Sequence, residues 1–252
     1  MTGTVGRRAG LLDRRTVEAL TAWVTTIEAW PAGSHRWGQY AERVAGGDVI
    51  CRTENPSGCH EALRELVDGV LASAASEALD APARAFKDKL NYKQPGGGGF
   101  AAHQDVRAYP GAGAVVSVLV AVDRCTVESG CLLIGRGCVG LLPTDDRGVI
   151  TQAAAESVAW EPIELDPGDA VCIGGLTPHR SDSNRSGAAR RVLIASYTPA
   201  SAGYDRERYY AVRRTEMAAA SARDGRRRIS TLADFEGAMV PEVTPASACT
   251  HG

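Results

Sequence analysis

Val115 to Val122 reads Val-Val-Ser-Val-Leu-Val-Ala-Val, a near-continuous apolar run. Such a run predicts a strand buried on both faces. It is followed by more short strand patterns: Cys131–Ile134, Val158–Leu165, Ala170–Ile173 and Arg191–Tyr197. Between them stand turn sequences, Gly135-Arg136-Gly137, Thr144–Gly148 and Asp166-Pro167-Gly168-Asp169. Short strands at this spacing, joined by Gly, Pro and Asp turns, predict an antiparallel sandwich or jelly roll.

The flanks read differently. Leu12, Val17, Leu20, Val24 and Ile27 recur at helical spacing, so 11–30 is expected to be a helix ended by Pro31. A second helix is expected over 60–79, with His60 as a satisfied polar residue upon it. Residues 1–8 are expected to be loose. Residues 31–58 are ambiguous apart from a short strand at Val49-Ile50-Cys51 and a turn at Asn55–Gly58. At Phe86 the period becomes two: Lys87, Lys89, Asn91 and Lys93 alternate with Phe86, Asp88, Leu90 and Tyr92. The lysine face is either a solvated sheet edge or the wall of a polar cavity. Residues 205–228, rich in Arg and Ala, predict a C-terminal helix, followed by a mobile tail. The organisation expected is one domain over 1–252, with 1–84 mainly helical, 85–200 the β core and 201–252 a helix and tail.

With 252 residues, 44% of them hydrophobic, the chain can bury one sizeable core. A formal charge of -2 gives no electrostatic case for nucleic acid or an anionic membrane. No signal peptide or membrane-spanning apolar run is apparent. Seven cysteines, an odd number with no Cys-x-x-Cys pair, point to reduced thiols and a cytoplasmic location. Gly96–Gly99 lacks the Lys-Ser/Thr of a phosphate loop, so these glycines are expected to permit close backbone approach or a moving flap.

The chemistry concentrates in two stretches, His103-Gln104-Asp105 and Pro178-His179-Arg180-Ser181. On an extended chain His103 and Asp105 point to the same side. Alone they are equally an ordinary hydrogen-bonded polar pair. With His179 they offer two imidazoles and one carboxylate, the facial triad of non-haem Fe(II) oxygenases. Only five histidines are present, and His179 is the best third ligand. Arg190 follows at the start of the next strand, where it can pair bidentately with a carboxylate.

Lys-Leu-Asn-Tyr-Lys-Gln-Pro (89–95), Gly-Gly-Phe (98–100), His-Gln-Asp (103–105), Glu-Ser-Gly-Cys-Leu (128–132), Gly-Asp (168–169) and Pro-His-Arg-Ser (178–181) follow one another in a specific order. Over about residues 85–200 the chain thereby resembles the phytanoyl-CoA dioxygenase-like branch of the Fe(II)/2-oxoglutarate oxygenases. The resemblance implies a double-stranded β-helix core, with His103, Asp105 and His179 as iron ligands. It also implies Arg190 on the distal carboxylate of 2-oxoglutarate, helped by Ser181, with Lys89 and Asn91 facing the co-substrate. Leu119 stands where the family carries a tryptophan that lines the co-substrate pocket, and Ser117 shares its face. Ile134–Cys138 replaces the Pro-Gly-Ser-His segment of many relatives, which bears on loop structure or substrate, not on iron. The presence of Asp105 disfavours halogenation, since halogenating relatives replace that carboxylate.

The implied activity uses Fe(II) as its cofactor, consumes 2-oxoglutarate and O₂ and oxidises a substrate C–H bond, foremost by hydroxylation, releasing succinate and CO₂. The expected partner is a small metabolite or natural-product intermediate, anionic or zwitterionic, with Arg107, Tyr109 and Arg180 flanking the ligands. Gln104 lies between the ligands and is expected to point away from the metal. Trp160 is expected in the core, and Tyr209 and Tyr210 as packing or a lid. Two other classes stay open at this point: a cupin-type metalloenzyme without 2-oxoglutarate, and a non-catalytic β-sandwich binding module.

Overall fold

A computed structural model describes residues 5–31, 37–213, 215 and 238–239. The core is two antiparallel sheets. The large sheet has the order β1-β9-β6-β11-β4-β3-β2-β12 and the small one β5-β10-β7-β8. The strands of the large sheet are β1 (Val5–Arg8), β2 (Gly38–Val44), β3 (Gly47–Glu54), β4 (Ala83–Lys93), β6 (Val116–Ala121), β9 (Ala170–Gly174), β11 (Arg190–Pro199) and β12 (Ala238–Met239). Those of the small sheet are β5 (Phe100–His103), β7 (Leu132–Arg136), β8 (Ala159–Ile163) and β10 (His179–Ser181). This is the jelly roll that the strand spacing predicts.

Alternation explains why β6 is apolar on both sides. Its Val116, Val118 and Val120 join Leu90, Leu193 and Tyr197 under the helices, while Leu119 and Ala121 face Ile134, Ile163 and Val192 between the sheets. Each fully buried aliphatic side chain here contributes roughly 1.5–3 kcal/mol of transfer free energy.

The covering helices are α1 (Arg14–Glu28), α2 (Glu61–Leu66) and α3 (Ala72–Leu79). Asp13 caps α1 by accepting from Thr16 N at 2.8 Å, and Leu20, Val24 and Ile27 bury one face. His60 caps α2, its Nδ1 accepting from Leu63 N at 3.2 Å. It is a satisfied polar residue, as expected. The helix expected over 60–79 is interrupted by a π-helical turn, Val67–Leu71. Such a turn alters the backbone pairing, and the Val67 carbonyl also accepts from Tyr197 Oη at 2.7 Å.

Two expectations are corrected and one is extended. Residues 5–8, expected to be loose, form β1 against β9, held by an Arg7–Asp169 ion pair of 3.0 Å and by Gly10 N on Asp169 Oδ1 at 2.8 Å. The first 84 residues hold more than helices: β2 and β3 form a hairpin that widens the large sheet. Trp160 is not core. It lies half-buried on β8, the edge strand of the small sheet, with the Arg180 guanidinium 5.1 Å from its ring centroid. At the C-terminus 206–213 is helical, and most of the predicted helix and tail lies outside the described residues. Tyr209 packs edge-on against Phe86 and Tyr109.

Candidate active site

Strand pairing builds the centre. β5 and β10 are antiparallel neighbours, and His103 is the direct partner of His179, so the imidazoles lie 4.2 Å apart between centroids. β5 ends at His103. Gln104 stays extended, and Asp105 opens a one-turn 3₁₀ helix, Asp105–Ala108. Asp105 Oδ1 then sits 3.9 Å from His103 Nε2 and 3.8 Å from His179 Nε2. One donor atom from each of the three residues falls within 4.8 Å of the others.

The outer contacts prepare these donors. His103 Nδ1 lies 2.7 Å from the Ala101 carbonyl and His179 Nδ1 3.0 Å from the Thr177 carbonyl. A carbonyl only accepts, so each Nδ1 carries the proton and each Nε2 offers its lone pair inward. Ser117 Oγ donates to Asp105 Oδ2 at 2.8 Å, which leaves Oδ1 for a metal. Burial, then repulsion from His179, pushes His103 down to about 3, so its imidazole is neutral at working pH. Burial opposes the charge on Asp105, but His179, His103 and Lys89 outweigh it and hold the carboxyl well below its usual range. Two imidazoles with Nε2 turned inward and one ionised carboxylate fit a ferrous ion.

A second group fits 2-oxoglutarate. Arg190 is 6% exposed and donates through Nη2 to the Gly130 carbonyl at 2.7 Å. Its Nε is buried with no hydrogen-bond partner, and among the described residues no carboxylate pairs with it. A buried guanidinium with spare donors is a seat for a ligand carboxylate. Beside it Lys93 Nζ donates to Ser181 Oγ at 2.8 Å and to the carbonyls of Gly130 and Asp182. Burial and the neighbouring Arg190 pull Lys93 down to about 6, against three acceptors that favour its ammonium form. Gly130 is required here: its φ is +72°, and a Cβ would collide with the Asp182 carbonyl. Gly99 is needed for the same kind of close approach, to Ser181, as expected of the glycine run.

The cavity between the sheets is lined by the triad and by Lys89, Asn91, Leu119, Ser181 and Arg190. Tyr109 and Arg180 line it too. Gln104 does not: it is fully buried, its amide bridging Gly140, Leu142 and Leu176. Arg107 is exposed and donates to the Leu142 carbonyl at 3.0 Å, away from the cavity. Lys87, Arg52, Arg213 and Ser117 also line the cavity, which no motif in the sequence marks as ligand contacts, and Lys93 lies behind Ser181. The two-residue period of β4 held the signal for Lys87 and Lys93, since the lysine face proves to be the cavity wall. Burial lowers Lys87 to about 8, offset by Glu54.

Comparison with known proteins agrees with this site. The profile of the family described as "Phytanoyl-CoA dioxygenase (PhyH)" matches residues 3–192. The chain is 36% identical over 230 residues to a methylphosphonate hydroxylase of Gimesia maris, covering 90% of this chain and 88% of that protein. It is 30% identical over 215 residues to a 2-aminoethylphosphonate dioxygenase of an uncultured bacterium, covering 82% of each. Among solved structures, the fold superposes on the epimerase SnoN, crystallised with Fe³⁺ and alpha-ketoglutarate, with a TM-score of 0.67 at 20% identity, covering 81% and 82% of the two chains. EctD from S. alaskensis, solved with 2-oxoglutarate and 5-hydroxyectoine, gives 0.65 at 18% identity, covering 79% and 73%. Fold, ligand geometry and sequence converge: the chain belongs to the phytanoyl-CoA dioxygenase family of Fe(II)- and 2-oxoglutarate-dependent oxygenases.

Proposed function

We propose that this dioxygenase hydroxylates a C–H bond of a small organophosphonate. The observation that carries the reading is the charge of the cavity. Arg52, Lys87, Lys89, Arg180, Arg190 and Arg213 all line it. Among the described lining residues the one carboxylate is Asp105. 2-Oxoglutarate brings two negative charges, which Arg190 and the metal answer. Arg52 also pairs with the buried Glu54 and Arg180 with Asp182, but basic groups still outnumber carboxylates around this cavity, which suits a second anion, and two relatives are named for phosphonates.

His103, Asp105 and His179 would hold the iron, and iron with 2-oxoglutarate supplies the oxygen-activating chemistry when bound. The chain supplies the rest. The Nδ1 contacts fix both imidazole tautomers. Ser117 sets the Asp105 carboxylate. Arg190 and Ser181 seat the distal carboxylate of the co-substrate, and Leu119, Ile173, Val192, Ile163 and Leu165 wall that end with apolar surface and exclude water. A cytoplasmic location suits the thiol state of the six described cysteines, none of which forms a disulfide.

The test is incubation with Fe(II), 2-oxoglutarate, O₂ and either methylphosphonate or 2-aminoethylphosphonate, with succinate and the ³¹P spectrum followed together. A new phosphorus resonance growing in step with succinate is the expected result. Succinate release that no phosphonate stimulates would sink the proposal.

A further inference from the structure

β4 borders the cavity with Lys87, Lys89 and Asn91, and Lys93 continues the same face behind Ser181. Lys93 lies six positions beyond Lys87, about 20 Å of strand at the usual rise. The Lys93 end is the co-substrate end, where Lys93 is the direct neighbour of Arg190 across β11. The Lys87 end is a different place. There Lys87 Nζ donates to Tyr109 Oη at 3.2 Å and lies over the rings of Tyr109 and Tyr209. Arg52 enters from β3, its Nε on Asn91 Oδ1 at 3.1 Å, and Arg213 enters from the C-terminal helix. Lys89, between the two ends, has no hydrogen-bond partner among the described residues and faces the cavity.

This second cationic group is level with the metal ligands. Lys87 pairs with Ser196 on β11, and Ser196 pairs with Ser117 on β6. Ser117 in turn holds Asp105. Lys87 and Ser117 are thus two strand spacings apart, about 10 Å between backbones, with long side chains reaching into the gap. In a phosphonate the oxidisable carbon is bonded directly to phosphorus, so an anion seat beside the metal is what such a substrate needs. Polarity decides a further point. Glu54 pairs with Arg52 at 3.4 Å and is buried outside the cavity lining, where its single charge offsets Lys87, Arg52, Arg213 and Lys89 together, while Asp105 belongs to the metal. A substrate ammonium would meet Lys87, Lys89, Arg52 and Arg213 with no free carboxylate among the described lining residues.

We propose that Lys87, Lys89, Arg52 and Arg213 form a second anion subsite, separate from Arg190 and Lys93, that takes the phosphonate group of an alkylphosphonate lacking an amine. The proposal rests on the phosphonate reading above and narrows it to methylphosphonate-like substrates over zwitterionic ones.

The test is anaerobic. The protein is loaded with Fe(II) and 2-oxoglutarate, and methylphosphonate, 2-aminoethylphosphonate and acetate are titrated in turn against the visible band of the chelate. Wild type is expected to bind methylphosphonate at least about tenfold tighter than 2-aminoethylphosphonate, and Lys87→Met and Arg52→Gln to weaken methylphosphonate by about tenfold or more, the scale of one charge-assisted hydrogen bond. Retained 2-oxoglutarate affinity in both variants shows that fold and co-substrate end are intact. The subsite is overturned if both variants bind methylphosphonate like wild type, or if they lose 2-oxoglutarate equally. Equal or tighter binding of 2-aminoethylphosphonate overturns the exclusion of amines. If wild type binds acetate but neither phosphonate, and Lys87→Met loses acetate, the phosphonate reading falls while the subsite stands. If wild type binds none of the three, the subsite falls with it.

Discussion

Ser117 Oγ donates to Asp105 Oδ2 at 2.8 Å and lies 3.0 Å from Ser196 Oγ, so one hydroxyl on β6 fixes the carboxylate that opens the next element. Asp105 sits where strand gives way to a 3₁₀ turn, and no regular backbone pairing sets its side chain. Ser117→Ala is therefore expected to lower Fe(II) affinity by about 10–100-fold, the usual cost of removing a group that orients a metal ligand. Anaerobic Fe(II) titration measures it. Unchanged affinity would mean that the imidazoles alone hold the carboxylate in place.

Removal of a ligand itself is more severe. His179→Ala deletes one of three donors and removes the imidazole that lies 4.2 Å from that of His103. The expected result is no stoichiometric Fe(II) uptake, no visible band with 2-oxoglutarate, and turnover reduced by at least about a thousandfold, because the whole oxygen chemistry depends on the metal. A fully retained band would place the metal elsewhere.

Arg190 makes a separable prediction. Its Nε is buried without a partner, so the protein already bears part of the desolvation cost that a ligand carboxylate would relieve. Arg190→Ala is expected to raise the 2-oxoglutarate Kd about 100-fold, equivalent to about 2.7 kcal/mol at a bidentate, charge-assisted contact. Fe(II) affinity should stay near wild type. Equal losses of both would point to misfolding of the β10–β11 region instead.

The parts of this centre that the sequence discloses are those set by local period. His103 and Asp105 share a side because Gln104 is extended, and the lysine face of β4 follows from alternation alone. What alternation does not disclose is which neighbour covers a face. Trp160 alternates like a core residue, but β8 is an edge strand, and the ring meets the Arg180 guanidinium and the Ala155 carbonyl, not a packed layer. The β2–β3 hairpin escapes the same reading because Glu42, Arg43 and Asp48 interrupt its pattern, although Gly46-Gly47 marks the turn and Gly47 has φ +120°. Arg52 and Arg213 reach the cavity from separate elements, so nothing near them in sequence marks them as cavity residues.

Lys93 links co-substrate binding to pH. In the free protein it sits at about 6, so the neutral amine prevails at pH 7.5 and can donate to only two of its three neighbouring acceptors at once. A dianion placed beside Lys93 and Arg190 favours the ammonium and raises that value. Binding therefore takes up a proton, and 2-oxoglutarate affinity falls as pH rises above about 6. Calorimetry at pH 7.5 in buffers of different ionisation enthalpy should show the uptake, and Lys93→Met should abolish it. Binding enthalpies identical in all buffers would contradict the coupling.

Gly130 ties both clamps together. Its carbonyl accepts from Arg190 Nη2 at 2.7 Å and from Lys93 Nζ at 3.2 Å, while its φ of +72° and the closeness of the Asp182 carbonyl leave no room for a side chain. Gly130→Ala carries about 1–2 kcal/mol for the left-handed backbone, and relief of the collision must move the carbonyl on which both cations lean. Thermal unfolding is expected to fall by several degrees, about 2–4 °C per kcal/mol in a chain of this size. The displaced carbonyl frees Arg190 and Lys93 to drift, so 2-oxoglutarate should bind about tenfold more weakly, a charge-assisted contact's worth. His103, Asp105 and Ser117 lie on other strands and turns, so Fe(II) affinity should change far less. A variant with lowered thermal stability but wild-type 2-oxoglutarate affinity would show that Arg190 and Lys93 hold their positions without this carbonyl.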